Sequence, residues 1–281
     1  MPESSTLDIS FDRGYSGTTI ARIREQQPPW KVIRSFQAHS GEALLHIHNI
    51  SGGILDSDSL FWRVDVKSGA QAQLTTTGAT RVYRSRSAQH TARQRAKISV
   101  GEGAYLEYLP DQLIPFAGSR FEQTTSIDLQ KQASLIWWER IAPGREASGE
   151  VFGYQSLISR LELKAGGMPI AIEQWALAPH SRPIDSLARL GPFRHFGSCY
   201  VCRTGEPENY WRDFEKYMQE VASSLSNPNI LWGVTCLRAH GLAIRGVSSS
   251  GRLLAESWAE IWKAAKMRLC GRAAVLPRKV H

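Results

Sequence analysis

Four segments of this 281-residue chain share one pattern, and their spacing limits the folds that the chain can adopt. In each segment a strand-like stretch ends in an apolar residue, two or three polar or small residues follow, and a new strand-like stretch begins after a small residue. These small residues lie 29 to 34 positions apart, within the range of repeat architectures, and are Ala70, Ala104, Ala133 and Gly167. The spacing predicts stacked β units of solenoid or two-layer type, with an ordinary β-sandwich as the alternative.

The first two thirds of the chain carry the periodicity of strands. Residues 60–66 alternate apolar and polar positions, which is typical of a half-buried strand. Residues 135–138 are apolar on both faces, so we expect this strand to be covered on both sides. We therefore predict a β-rich part over residues 10–205.

The last third has a different periodicity. Residues 209–225 and 252–270 repeat apolar positions at helical spacing, so each is predicted to be an amphipathic helix. Both helices fall in a C-terminal part over residues 206–281. The predicted fold is mainly β, with β-helix or solenoid-like stacked strands and two α-helices in the C-terminal third, all within a single domain over residues 1–281.

Charge is distributed unevenly along the chain. The net charge is +8, which favours contact with acidic partners. Residues 66–101 contain no Asp or Glu but several Arg and Lys, so we predict a docking surface, with a solvated basic face as the alternative. The residues predicted to dock a partner are Arg81, Arg84, Arg93 and Arg95. The same run has one aromatic residue and no known nucleic-acid-binding motif, so no nucleic-acid partner is expected.

The sequence shows no clear signal for secretion or for insertion into a membrane. No apolar run approaches the roughly 20 residues of a membrane-spanning helix, and the N-terminus lacks the basic and apolar regions of a signal peptide. We therefore expect a cytoplasmic protein without a membrane partner. Its four Cys all lie in the last third, a pattern that favours reduced thiols over a disulfide framework.

Short motifs in the sequence indicate neither a catalytic site nor a clear metal site. The chain has no phosphate-binding loop, no GxSxG and no HExxH. His46 and His48 would lie on one face of a strand and could bind a transition metal, but two partly buried, hydrogen-bonded histidines are the favoured interpretation. Cys199 and Cys202 have the spacing of a zinc site, whereas their position in a strand favours a structural role.

Acidic residues placed in apolar strands are more informative. Glu107, Glu139 and Glu173 lie within or at the end of such strands, and Asp58 lies in a turn. A carboxylate in these surroundings is costly unless it is paired or hydrated. The residues either point outward or pair with Arg, or they line a polar interior that holds water.

Five segments in consistent order resemble one family, the urease accessory proteins of type D, also called type H. The segments are GGILDSDSL at 52–60, TTTGATRVYRS at 75–85, LEYLPDQLIPFAGSR at 106–120, WWERIAPGREASGEVFGY at 137–154 and CGRAAVLPRKVH at 270–281. The resemblance covers about residues 10–281. One departure is Ser57, which stands where the family pattern has Gly before Asp58.

The resemblance implies a β-helix-like fold with two helices and no enzymatic activity. It implies a scaffold that binds apo-urease and accessory protein F, with the GTPase accessory protein G docked through F. Such a scaffold would pass nickel to the urease active site during GTP-dependent metallocentre assembly. It would have no tightly bound cofactor, and Ni²⁺ would be present only transiently.

We interpret the polar interior as a hydrated path for this Ni²⁺, since spaced oxygen ligands bind the ion loosely whereas His and Cys clusters hold it tightly. The candidate lining residues are Asp58, Thr75, Thr76, Glu107, Glu139 and Glu173. Two alternatives stay open. One is a β-helical carbohydrate-active enzyme built around Arg120 and Glu122, and the other is a nickel-storing metallochaperone built around His46 and His48.

Overall fold

The computed structural model describes residues 5–38 and 41–275, and this part of the chain is mainly strand with two α-helices. The strands are β1 Ser5–Arg13, β2 Thr19–Gln26, β3 Trp30–Lys31, β4 Ser35–Gln37, β5 Ala43–Asn49, β6 Ser59–Val66, β7 Gln71–Thr76, β8 Thr80–Val82, β9 Ala92–Val100, β10 Tyr105–Tyr108, β11 Leu113–Pro115, β12 Arg120–Leu129, β13 Ser134–Ile141, β14 Ser156–Ala165, β15 Met168–Leu177, β16 His195–Arg203, β17 Ile230–Cys236 and β18 Gly241–Ser248. The helices are α1 Glu208–Leu225 and α2 Gly251–Cys270.

The strands form two sheets. The first has seven strands in the order β15-β14-β12-β9-β6-β1-β2, parallel in its centre and antiparallel at both edges. The second has eleven strands, and its main path is β17-β18-β16-β13-β10-β7-β5-β3. In that sheet β5, β7, β10 and β13 are parallel, whereas β16, β17 and β18 join as antiparallel strands.

From β6 to β14 the chain crosses repeatedly between the two sheets, and three of the repeated small residues lie in the turns of these crossings. Ala70, Ala104 and Ala133 are each buried where β6, β9 and β12 lead into β7, β10 and β13. The turns stack, because the amide of Tyr105 donates to the carbonyl of Ala70 at 2.9 Å and that of Ser134 donates to Ala104 at 2.8 Å. The burial of all three alanines in this stack favours a small side chain at each position.

The fourth repeat differs from the other three. Gly167 is exposed in the turn of the antiparallel hairpin β14–β15, so the chain stays in the seven-stranded sheet instead of crossing. Within the described residues the two sheets are separate and do not close into one coil. The mainly β fold with two helices is therefore confirmed, whereas a β-helix or solenoid is not shown.

Two apolar cores hold these layers together. The first lies between the sheets and includes Leu7, Trp62 and Trp137. The second lies between the outer face of the eleven-stranded sheet and the helices, and includes Phe214 and Trp258. Residues 135–138 are buried on both faces because they belong to the strand between these two cores, as the sequence predicted.

Both predicted helices are present, with ends set by local chemistry. α2 begins after Ser250, whose hydroxyl accepts a hydrogen bond from the amide of Leu253 at 3.4 Å. It ends at Gly271, whose φ of 64° lies in the left-handed region that Gly adopts easily. Neither helix in the described ranges combines the length and apolar character that crossing a bilayer requires.

Candidate functional site

A row of polar side chains crosses the inner face of the seven-stranded sheet. Gln94, Gln123 and Ser159 are register neighbours on β9, β12 and β14. Their strand positions alternate in step with core residues such as Phe121, so they point toward the space between the sheets. The amide of Gln123 donates to the Ser159 hydroxyl at 2.8 Å.

A second polar row faces the first from the eleven-stranded sheet. Glu139, Ser198 and Arg245 are register neighbours on β13, β16 and β18. Gln123 joins the two rows by donating to Glu139 Oε1 at 3.2 Å. We name the two rows together with Glu173 the polar track; its members are Gln94, Gln123, Glu139, Ser159, Glu173, Ser198 and Arg245.

Glu139 is the carboxyl group at the centre of the polar track. Burial raises its pKa to about 8, and the neighbouring Glu173 carboxylate adds to the rise. The hydrogen bond from Gln123 opposes this effect, because it stabilises the ionised form. No Lys or Arg among the described residues makes an ion pair with Glu139, so the group retains its proton at neutral pH.

Glu173 lies one step further along the track and has a different environment. The Ser198 hydroxyl donates to its Oε2 at 2.6 Å, and Arg245 donates to its Oε1 at 2.9 Å. The Glu173 side chain is 8% exposed, whereas that of Arg245 is 52% exposed. The track therefore reaches the protein surface at Arg245.

The other end of the track reaches a pocket of about 180 Å³. Thr76, Gln94 and Tyr108 are among the residues that line it. Burial, together with the nearby Glu139 carboxyl, raises the pKa of Tyr108, so its hydroxyl stays protonated. The polar track thus runs from this pocket, past Glu139 and Glu173, to the surface at Arg245.

Thr75 and Glu107, two of the six predicted path residues, lie on the opposite face of the eleven-stranded sheet, beneath the helices. The Thr75 hydroxyl donates to the carbonyl of Leu109 at 2.7 Å. Glu107 is fully buried and receives hydrogen bonds from four side chains, Gln73 at 2.5 Å, Trp262 and Lys266 at 3.1 Å each, and Tyr105. Both of its oxygens therefore have hydrogen-bond donors, and the bonds from Trp262 and Lys266 hold α2 on the sheet.

Asp58 lies outside both groups, in the loop before β6. It is half-buried and accepts a hydrogen bond from the amide of Leu55 at 2.8 Å. Burial raises its pKa, and the negative charge of Asp56 acts in the same direction. Ser57 has a φ of 65°, a left-handed conformation that favours Gly, which explains why the family pattern has Gly at this position.

The six predicted path residues thus occupy three places. Thr76, Glu139 and Glu173 lie between the sheets, Thr75 and Glu107 lie beneath the helices, and Asp58 lies in a loop.

The four arginines of the predicted docking surface lie in two separate regions of the structure. Arg93 and Arg95 point outward from the centre of the seven-stranded sheet, where Arg93 pairs with Glu122 at 3.0 Å. Arg81 and Arg84 are exposed on and just after β8, which belongs to the other sheet.

The possible metal ligands seen in the sequence do not assemble into a larger cluster. Within residues 5–38 and 41–275, no three His, Cys, Asp or Glu side chains gather in a metal-binding group. His46 packs edge-on against Phe36, and burial lowers the pKa of His48. Cys199 and Cys202 are free and buried, and burial raises the pKa of both thiols.

Several residues of the polar track, and the buried Lys266, were not predicted from the sequence. Gln123 shares its inward positions with Phe121 and Ile127, so strand alternation alone marks it as a buried polar residue. Lys266 carries a similar signal, because it follows Trp262 by one helical turn on the buried face of α2. The role of Arg245 has no such signal, since its partner Glu173 lies 72 positions away.

Comparisons with known proteins give a consistent result. The family model described as UreD urease accessory protein matches residues 3–281. The urease accessory protein UreD of Herpetosiphon aurantiacus is 40% identical over 264 residues, covering 94% of this chain and 92% of that protein. UreD 2 of Pseudomonas syringae pv. tomato is 32% identical, covering 97% of this chain and 92% of that protein. UreD of Cenarchaeum symbiosum is 31% identical, covering 96% and 94%.

Accessory proteins of this kind are maturation factors and not catalysts, so the expectation of a non-enzymatic chain is confirmed and the carbohydrate-active alternative is wrong. Glu122, one candidate of that alternative, is engaged with Arg93 on the outer face of the sheet. The family match and the relatives together show that this chain belongs to the UreD family of urease accessory proteins.

Proposed function

We propose that the chain acts in urease maturation by carrying Ni²⁺ along the polar track between its two sheets. The single observation behind this proposal is the contact of 3.2 Å between Gln123 and Glu139, which joins the polar rows of the two sheets across the core. Register neighbours and hydrogen bonds then connect Gln94 at the pocket with Glu173 near the surface, where Glu173 pairs with Arg245.

The ligand types in the track suit an ion that must be released again after binding. Its oxygen donors are two carboxyl groups, two hydroxyls and the amides of Gln94 and Gln123. Ni²⁺ binds such ligands more weakly than it binds imidazole or thiolate groups. Glu139 must release its proton before it can bind the ion, so loading of the path is coupled to proton release.

Arg245 has a distinct role in this scheme. Its guanidinium neutralises Glu173 at the surface end of the track. Without Arg245, the Glu173 carboxylate would hold a cation at this end. A partner surface that draws Arg245 away would free the Glu173 carboxylate for the arriving or departing ion. Docking and passage would then be coupled through one ion pair.

The proposed partners are apo-urease, which receives the nickel, and the other accessory proteins. The chain would bridge apo-urease to accessory protein F, with the GTPase accessory protein G bound through F. The family to which the chain belongs supports contact with urease and accessory proteins in general. F and G are the specific partners that we propose.

The deciding experiment measures the nickel content of urease after co-expression with the accessory proteins. We expect Glu139→Gln combined with Glu173→Gln to lower nickel content strongly while the complex still co-purifies. The matched control changes two exposed acids, Glu102→Gln and Glu220→Gln, and should leave nickel content unchanged. Full nickel loading by the track variant in an assembled complex would refute the path.

Storage of nickel by the chain is the alternative function. A store built on His46 and His48 would bind Ni²⁺ tightly and stoichiometrically in a titration of the isolated chain. The proposed path predicts weak binding that Glu139→Gln reduces and that a His46→Gln, His48→Gln variant leaves unaltered.

A further inference from the structure

The pocket at the inner end of the polar track is built from two segments that the nickel path does not explain. Residues 52–54 and residues 76–81 form much of its wall, and both belong to segments that carry the family resemblance. β3, β5 and β6 supply Trp30, Asn49 and Trp62 to the same wall.

In the part of the chain that the structure describes, three of these side chains carry buried N–H groups without an acceptor. Within residues 5–38 and 41–275 the indole Nε1 atoms of Trp30 and Trp62 find no hydrogen-bond partner, although both residues are more than nine-tenths buried. Asn49 uses its Oδ1 to accept from the amide of Ser51 at 3.0 Å, which leaves its Nδ2 as a donor, also without an acceptor. A buried donor left unpaired is destabilising, so three on one wall need a common explanation.

Charge around the pocket has one sign. None of the lining residues is Asp or Glu, and the single charged one is Arg81. Arg81 is exposed and makes no ion pair among the described residues; its guanidinium only approaches the carbonyl of Gly52 at 3.5 Å. Such a wall favours a ligand that carries negative charge and accepts hydrogen bonds.

We propose that this pocket binds a small planar oxyanion of the bicarbonate or carboxylate type, through the N–H groups of Trp30, Asn49 and Trp62 and the guanidinium of Arg81. An indole N–H donates and cannot accept, so the ligand must be an acceptor. A single Arg matches one negative charge, whereas a dianion such as phosphate would leave a charge uncompensated. The planar fork of Arg fits two carboxylate oxygens.

Anion binding here does not depend on the nickel path. The pocket shares Gln94 and Tyr108 with the polar track, but the proposed anion contacts lie on other residues. Loss of nickel transfer in a Glu139 variant would leave the anion site intact. Loss of anion binding in an Arg81 variant would leave the carboxyl groups of the track intact.

The test observes the indole N–H groups directly by NMR on the full chain labelled with ¹⁵N-tryptophan. The chain has nine Trp, and Trp30→Phe and Trp62→Phe identify the two relevant signals. Sodium formate or bicarbonate should shift these two signals in a saturable way, while sodium chloride at equal ionic strength should not. No saturable shift, or an equal shift with chloride, would overturn the proposal.

Two substitutions and a control locate the binding groups. Asn49→Asp replaces the donor by a carboxylate of the same shape, and Arg81→Gln removes the guanidinium; each should weaken formate binding about tenfold or more. Arg84→Gln changes a nearby exposed Arg outside the pocket and should bind formate as the unaltered chain does. Unaltered affinity in both pocket variants would also overturn the proposal.

The two sources of such a ligand can be separated in the same titration. A free anion predicts that formate or bicarbonate suffices. If the site instead takes a carboxylate from a partner chain, a short peptide with a free C-terminal carboxylate should produce the shifts and its amidated form should not. Thermal unfolding gives a second readout, because a bound anion raises the Tm of the unaltered chain and of Arg84→Gln but not of Asn49→Asp.

Discussion

Lys266 on α2 donates its ammonium group to Glu107 on β10 at 3.1 Å, and both side chains are fully buried. The same ammonium lies 3.0 Å from Glu42 Oε1, which is also buried. One cation therefore serves two carboxyl groups at the interface between the helices and the eleven-stranded sheet. Burial raises the pKa of Glu107, and Lys266 opposes that effect.

We predict that Lys266→Met destabilises the fold by about 3–5 kcal/mol, because it removes the buried cation of Glu107 and one of the cations beside Glu42, which keeps Arg272 at 3.6 Å. Urea denaturation monitored by circular dichroism would measure this loss. Lys263→Met is the matched control on the same helix. Lys263 pairs with Glu260 at the surface, so its loss should cost less than about 1 kcal/mol. Equal stability of the two variants would contradict a structural role for Lys266.

The second prediction concerns pH and Glu139. In the folded protein this group keeps its proton up to about pH 8, whereas its ordinary pKa is 4.5. Unfolding therefore releases a proton between these pH values, and the free energy of unfolding should fall as pH rises from about 4.5 to 8. Glu139→Gln should flatten this dependence and be the more stable chain at alkaline pH. Identical pH profiles for the two proteins would contradict it.

The third prediction separates the two causes of this pKa. Glu173→Gln removes the negative charge beside Glu139, so the pKa of Glu139 should fall below about 8. It should stay above 4.5, because burial is the larger cause and the substitution leaves burial unchanged. Carboxyl ¹³C NMR titration measures this shift. A pKa of Glu139 that does not move in Glu173→Gln would mean that the two groups do not interact.

Much of the fold could be predicted from the sequence because its signals are local. Helical periodicity located α1 and α2 to within one residue at each end, and the small residues marked the turns between sheets. The fourth repeat, at Gly167, was not distinguishable, because a hairpin and a crossing between sheets begin with the same turn residues. Whether the sheets close into a coil depends on long-range pairing that no local pattern reports.

The candidate site was predicted less completely for the same reason. Strand position identified Glu139 and Glu173 as acids in apolar strands, but Glu107 carries an identical signal and lies on the other face of its sheet. Adjacent strand positions point to opposite faces of a sheet, so the sequence does not show which face a given acid occupies. Only the residues that contact each acid show this. Glu107 meets a cation from a helix 159 positions away, whereas Glu139 meets the amide of Gln123.

The fourth prediction concerns Ser57 and its left-handed backbone. With a φ of 65°, Ser57 adopts a conformation that Gly reaches without strain. Ser57→Gly should therefore raise the free energy of unfolding by up to about 1 kcal/mol. Ser59→Gly is the control, since it removes a side chain from strand β6 and should lower stability. If urea denaturation shows both variants to be destabilised equally, the backbone of Ser57 is not strained.

The final prediction concerns docking, and the structure divides the four arginines into two pairs that can be tested against each other. Arg93 and Arg95 stand in the centre of an open sheet face, whereas Arg81 and Arg84 lie near the pocket. If the sheet face docks an acidic surface of apo-urease, Arg93→Glu with Arg95→Glu should slow association, and the difference from the unaltered chain should shrink as salt rises.

Association can be followed by surface plasmon resonance with immobilised apo-urease. Arg81→Glu with Arg84→Glu changes the net charge by the same amount, so it controls for long-range attraction. A specific sheet surface requires a larger loss of association rate in the Arg93, Arg95 variant. If both variants slow association equally, the attraction belongs to the net charge of +8 and not to the sheet face.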